Sequence, residues 1–306
     1  MHYAIQRGTR QAGRDALLIK TILPVIGLVL TLALTPLPAS AGVILGAEVR
    51  ISYEDNVVGP LSDKQSGAGG GMTGSGGGTM MQAPGMGGMG GSQTQYTGSG
   101  SQSSGDFSGT VSAEAGGYTN IGVDSALFAK GFAQHTAYNN FTDLNSTIAG
   151  VSTGANVIMS DGLSGRLELY GKLKHYGDTS RNSNAYGAAV NFNQKPLPSL
   201  LLRERAEYED NRADSSSFTY TGTAAGITAG YEVTETLVLT AGYRYLVQDF
   251  STLGSKLTTD TTSLGFEKKL SREWSVGGEY DLQISKPDGG ASTRDNIFSL
   301  ALQYAY

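Results

Sequence analysis

From Val43 to Glu54 the chain alternates. Val43, Leu45, Ala47, Val49, Ile51 and Tyr53 are apolar, while Gly46, Glu48, Arg50, Ser52 and Glu54 lie between them. Successive side chains of a strand point to opposite faces, so this segment has one greasy face and one charged face. Twelve segments of this kind follow one another: 43–56, 106–119, 125–139, 145–159, 163–177, 184–195, 199–212, 218–233, 236–250, 258–270, 273–285 and 295–306. Each exceeds the roughly 9–11 residues a tilted strand needs to cross a bilayer. Their number is even, as in bacterial single-chain barrels.

The connections constrain the fold further. One set is short: Ile121–Asp124, Ser160–Gly162, Pro196–Pro198, Thr234–Glu235 and Ser271–Arg272. The other set is longer and polar, around Asn140–Leu144, Asp178–Ser183, Ala213–Ser217, Ser251–Leu257 and Lys286–Arg294. A soluble sandwich has no reason to sort its loops in this way. A membrane barrel does, with short periplasmic turns and long outer loops. The fold class expected is all-β, a transmembrane antiparallel up-and-down β-barrel of about twelve strands. Its first outer loop, 57–105, is rich in Gly, Ser and Met and cannot bury enough apolar surface to offset its chain entropy, so it is expected to be disordered. Met72, Met80, Met81, Met86 and Met89 lie in it. Thioethers suit Cu(I), but without ordered ligands the plainer reading is a flexible surface loop.

The N-terminus reads as an export signal. Arg7, Arg10, Arg14 and Lys20 precede an apolar run from Thr21 to Thr35, and Ala39-Ser40-Ala41 supplies small residues for cleavage. The run is short for a membrane anchor, and Pro24 and Gly27 interrupt it. Residues 1–41 are therefore expected to be removed and 42–306 to form the barrel, although the start could lie downstream of Met1. The remaining chain has 18 Lys+Arg and 26 Asp+Glu. That acidic balance disfavours nucleic acid as a partner. There is no Cys, which excludes disulfides and thiolate metal sites. No cofactor or metal is expected.

Strand phase sorts the charges. Lys and Arg are costly on the lipid face near mid-membrane, so the charged phase should face the lumen. Arg166, Glu168, Lys172 and Lys174 share a phase, as do Arg203, Arg205 and Glu207, and Arg244 sits between Tyr243 and Tyr245. These form an expected basic wall. Glu48, Glu54, Glu114, Glu267, Glu279 and Asp281 form an acidic one, with Arg50 and Lys269 as exceptions. Facing walls across water would guide polar or charged solutes. The same side chains meeting as ion pairs would instead fill a narrow barrel. No large inward apolar cluster is evident, which favours a wet pore. The candidate solute-guiding residues are Arg166, Lys172, Lys174, Arg203, Arg205, Arg244, Glu48, Glu279 and Asp281. Two residues do not fit the phase: Glu204 beside Leu202, and His135 among apolar neighbours. A register error or a bulge would explain either.

The word Tyr-Glu-Asp-Asn occurs twice, at 53–56 and 208–211, each three residues after an Arg. Both copies fall at the outer ends of outward-running strands. Tyr138, Tyr176, Tyr245 and Tyr280 fall near equivalent places. Interfacial Tyr followed by turn-favouring acids and Asn gives the word an architectural meaning. Duplication of a half-barrel and a cation site on Glu54, Asp55, Glu209 and Asp210 are the sharper alternatives. His175 with Asp178, and His135 near Asn139 and Asn140, supply only loose ingredients of hydrolytic catalysis, so no enzyme is expected.

The last segment carries a resemblance. Phe298, Leu300, Leu302 and Tyr304 alternate, and Tyr306 is a terminal aromatic. This resembles the C-terminal signal by which the barrel-assembly machinery recognises its clients, with Tyr in place of the usual Phe. Together with the alternating strands and sorted loops, it makes residues 42–306 resemble a Gram-negative outer-membrane barrel of the porin-like family. The opening strand with Tyr53-Glu54-Asp55-Asn56 resembles porin-like barrels, some encoded near polysaccharide-export genes. Twelve strands with basic lumen residues is similar in plan to the narrow porins for acidic oligosaccharides, but no motif carries a substrate over. The resemblance implies passive diffusion of small polar or anionic solutes. The partners it implies are outer-membrane lipid, lipopolysaccharide and the assembly machinery. A non-conducting barrel acting through its outer loops, in adhesion or partner binding, and a polysaccharide-export component remain open. So do the oligomeric state and whether 57–105 plugs the pore.

Overall fold

The computed structural model describes residues 41–57, 104–250, 254–288, 290 and 292–306. The expected export signal, apart from Ala41, and residues 58–103 of the first outer loop lie outside them. Twelve strands follow: β1 (Ala41–Val57), β2 (Ser104–Asn120), β3 (Ser125–Tyr138), β4 (Ser146–Ser160), β5 (Leu163–Tyr176), β6 (Ser183–Leu197), β7 (Leu200–Ala213), β8 (Tyr220–Thr234), β9 (Leu237–Phe250), β10 (Ser255–Lys269), β11 (Trp274–Pro287) and β12 (Thr293–Ala305). Each neighbours the next in antiparallel pairing, and β1 pairs with β12 to close the barrel. The expected segments match one for one, to within a few residues. β10 starts earliest relative to expectation, at Ser255.

The registers fix the barrel's dimensions. Followed round the ring in order of strands, the paired residues climb and return to β1 about 16 residues nearer its outer end. With strands about 4.8 Å apart and a rise of about 3.3 Å per residue, this stagger tilts the strands by roughly 42° and gives a backbone radius of about 12 Å. One step sideways to the next strand climbs about 3 Å along the barrel axis.

The lipid face shows the apolar phase. Val49, Ile51, Leu167, Leu169, Leu264 and Leu300 are each more than half exposed around the middle of the wall. Aromatic pairs bracket this band: Tyr53–Phe107 and Tyr280–Phe298 towards the outer end, and Trp274–Tyr304 towards the inner end. Such rings favour the membrane–water interface. The inner turns are tight. In the turn Asp161-Gly162, Gly162 has φ 81°, a conformation suited to glycine.

Three consecutive outer loops share one design. Each holds a single 3-10 turn, at Thr142–Leu144, Thr179–Arg181 and Ser216–Phe218. In each, a side chain just after the turn accepts from a backbone amide at the end of the preceding strand: Asn145 from Tyr138, Asn182 from Tyr176 and Thr219 from Ala213. The loops also lean on one another, since Gly177 donates to the carbonyl of Asn145 and Asp214 to that of Asn182. The β3–β8 rim is thus hydrogen-bonded beyond the ends of its strands.

Several expectations need correction. Tyr138 and Tyr176 are not girdle residues: Tyr138 is buried and donates to Glu54, and Tyr176 shares the inward phase of Lys172 and Lys174, under the Arg181 guanidinium. Tyr-Glu-Asp-Asn ends one residue before β1 does, at Val57, whereas after the second copy β7 runs two residues further, to Ala213. His135 and Glu204 owe their places to neither bulge nor misregister. Their ladders are regular there, and each faces outward with a polar neighbour, Thr147 for His135 and Gln194 for Glu204. An inward apolar cluster does exist: Tyr220, Ala224, Leu246, Phe250 and Leu257 pack together in the outer third of β8–β10.

Candidate functional site: the charged lumen

Inward positions along β5–β9 carry the basic residues, and one register line organises them. Arg166 pairs with Asn191, Asn191 with Arg205, Arg205 with Gly226 and Gly226 with Arg244. Arginines therefore occupy alternate strands, with Asn or Gly between them. Because the line climbs with the stagger, Arg166, Arg205 and Arg244 form a staircase, each about 6 Å above the last along the axis. Arg203 lies one inward step below Arg205. Lys172 and Lys174 continue the basic surface towards the outer end of β5, and Arg181 stands at the rim between the Tyr176 and Phe218 rings.

The wall is not purely basic. Arg205 meets Glu207 at 2.7 Å and donates to Asn191. Arg166 lies 3.6 Å from Glu168 and stacks 3.9 Å above the Phe128 ring. Glu209, fully buried, accepts from Lys174 at 2.7 Å, Lys172 at 2.9 Å, Tyr220 at 3.0 Å and Tyr170 at 3.3 Å. Arg203 donates to Asn193. Among the described residues, no carboxylate lies within ion-pairing distance of Arg203 or Arg244.

The acidic wall is also interleaved. Arg50 bridges Glu48 at 2.8 Å and Glu279 at 3.2 Å, and Gln303 donates to Glu48. Lys130 pairs with Glu114 at 2.8 Å. Asp281 is buried and keeps one carboxylate oxygen without a hydrogen-bond partner. The expected division of signs thus survives as a surplus: cations outnumber acids on β5–β9, and acids outnumber cations on β10–β2. The two sharp alternatives, an open field or a paired interior, each describe part of the lumen. Pairing and apolar packing dominate the outer third, where Glu54, Glu209, Leu246, Gln248 and Thr259 are all fully buried. Further in, Glu48, Glu279 and Arg205 keep about a fifth to a quarter of their side chains exposed.

The sequence did not single out Tyr170, Tyr220 or Arg181. A 37-residue spacing that relates Leu144, Arg181 and Phe218 was available and marks the repeated rim loops. His175 faces outward on β5 and is exposed, and the Asp178 carboxylate accepts from the backbone amide and hydroxyl of Ser180. Phe298, Leu300, Leu302 and Tyr306 are exposed and Tyr304 is half-buried against Trp274, all on the lipid-facing phase.

No family model and no curated protein matches this chain. Solved structures do. An outer-membrane channel from Pseudomonas putida F1 superposes with a TM-score of 0.58 at 8% identity, covering 89% of this chain and 97% of that one. The KdgM porin in complex with disordered oligogalacturonate gives 0.45 at 8% identity, covering 85% and 99%. A Pseudomonas aeruginosa FadL homologue gives 0.45 at 12% identity, covering 85% and 90%. At such identities the likeness is one of fold. The closed barrel, the exposed apolar band and the aromatic girdles define the fold that the channel from Pseudomonas putida F1 shares: an antiparallel β-barrel built to cross a membrane with its strands.

Proposed function

We propose that the barrel is a narrow channel for passive diffusion of small polar or anionic solutes. The observation that carries this reading is the arginine staircase of Arg166, Arg205 and Arg244, with Arg203 beside it. A backbone radius of about 12 Å leaves room for water between such walls. Arg203 and Arg244, which among the described residues have no carboxylate within ion-pairing distance, would draw anions in, while the paired residues shape the passage. On this reading the protein is not an enzyme.

A second reading is favoured by the packed outer third. If that region excludes water, the barrel is a non-conducting scaffold acting through its outer loops. Sugar export draws less support, because two inward ring faces are already occupied: Arg166 covers Phe128, and Lys172 lies 4.3 Å over Tyr170.

Single-channel conductance in a planar bilayer, with reversal potentials in a salt gradient, separates these readings. Steady conductance with anion preference, weakened by Arg203→Gln and Arg244→Gln, supports the channel. A folded barrel that passes no current sinks it.

A further inference from the structure

Two of the buried polar atoms without a hydrogen-bond partner, on Thr261 and Asp281, fall on neighbouring strands. Thr261 on β10 pairs in register with Arg244 on β9, and Ser263, one inward step away, pairs with Asp281 on β11. All four side chains share the inward phase. The Thr261 hydroxyl is buried without a hydrogen-bond partner. Asp281 is 4% exposed, and its Oδ1 has none either. Arg244 has no carboxylate within ion-pairing distance, as noted above. Buried donors and acceptors are normally paired with protein, water or ligand, so these two groups beside a half-buried guanidinium call for an occupant.

The occupant's chemistry follows from the charges. Arg244 alone would take an anion, and Asp281 alone a cation. They lie two strands and one inward step apart, about 12 Å between Cα atoms, and do not form an ion pair with each other. A solute bearing both signs a few ångströms apart answers both at once. We propose that Arg244, Thr261 and Asp281 form a lumen site for small zwitterions: Arg244 receives the carboxylate end, Asp281 the ammonium end, and Thr261 hydrogen-bonds between them. The site lies where the basic surplus of β5–β9 meets the acidic surplus of β10–β2, so the surrounding field orients the same dipole. This rests on the channel reading and refines it. The basic staircase gathers solutes, and the β9–β11 wall selects among them.

Four solutes of nearly equal size test the proposal: alanine (zwitterion), lactamide (neutral), lactate (anion) and alaninamide (cation). Their entry is followed by swelling of proteoliposomes holding the protein purified from outer membranes. Alanine is expected to enter about three- to tenfold faster than lactamide, the advantage two partly screened charge contacts would give. Asp281→Asn should shift preference towards lactate, Arg244→Gln towards alaninamide, and Thr261→Val should narrow the alanine-to-lactamide ratio. If Asp281→Asn does not assemble, the other two variants carry the test. Equal entry of alanine and lactamide, or rankings unchanged by the variants, overturns the zwitterion site and leaves the channel standing. If none of the four enters, the channel reading falls and this proposal with it.

Discussion

Glu209→Gln is the substitution whose consequence can be worked furthest from the structure. Glu209 is fully buried and holds two ammonium groups and two phenols at 2.7–3.3 Å. Lys174, 1% exposed, keeps only neutral partners besides Glu209: the Asn211 amide oxygen and the Tyr220 hydroxyl. Glutamine preserves the volume but removes the charge. Breaking one side of a buried ion pair costs about 3–5 kcal/mol, because the remaining charge stays out of water. The amide oxygen still accepts one bond, so the lower end, about 3 kcal/mol, is expected. Urea unfolding in lipid vesicles, followed by Trp274 fluorescence and by heat-modifiable migration, reads the change directly. With a slope of about 1–3 kcal/mol per molar, the midpoint should fall by about 1–3 M. Lys174→Met added to Glu209→Gln should restore part of the loss, since a buried pair exchanged for apolar volume is often neutral. If Glu209→Gln unfolds at the wild-type midpoint, the cluster is hydrated rather than buried, and the packed outer third is wrongly described.

Three further outcomes follow from local geometry. Gly154→Val should destabilise by about 1–3 kcal/mol in the same urea assay, because a Cβ there would run into the Leu167 carbonyl and the Phe128 ring. Asp106→Ala should release the loop after β3, since the Asp106 carboxylate accepts from the amides of Asn140 and Phe141 and from the Asn140 side chain. Hydrogen exchange at those two amides should accelerate by at least tenfold, corresponding to roughly 1–3 kcal/mol of lost capping. Removing Tyr306 should slow barrel assembly in cells. The Tyr306 backbone exchanges two hydrogen bonds with Leu45 at the β1–β12 seam, and the side chain completes the alternating terminal pattern. The fraction of heat-modifiable barrel after a pulse of synthesis measures this.

Strand number, strand phase and loop sorting were legible because each depends on neighbouring residues alone. Phase put Arg166, Lys172, Lys174, Arg203, Arg205 and Arg244 inward, where the structure has them. Partners were not legible, because they depend on stagger. Glu209 reaches Lys172 and Lys174 across an intervening strand, and no property of either segment states that the registers of β5, β6 and β7 bring them level. The apolar cluster of Leu246, Phe250 and Leu257 escaped for a related reason. Leu246 and Phe250 are separated by Gln248 on the inward phase of β9, Leu257 stands among threonines on β10, and they form a patch only once the two strands are paired. Tyr176 was misplaced by residue type, although its phase, shared with Lys172 and Lys174, already pointed inward.

The repeated word Tyr-Glu-Asp-Asn joins these two levels. In both copies the Tyr and Asp face outward and the Glu inward, as alternation requires; Asn211 also faces inward, whereas Asn56 lies in the register shift before the buried Val57 and donates to the Arg294 carbonyl. Tyr53 and Tyr208 then serve the outer girdle. Glu54 accepts from Tyr138, and Glu209 accepts from Tyr170, Tyr220 and both lysines. β1 and β7 stand six strands apart on opposite walls of a twelve-strand ring, so no single ion or ligand can explain the repeat. What the two places share is position: an outward-running strand that must offer an aromatic to the interface and, one residue later, an acceptor to the packed outer third. The word recurs because its alternation answers both demands at once. Arg205 and Arg50 lie deeper, each six residues before the Asn of its copy, where the two walls differ in sign.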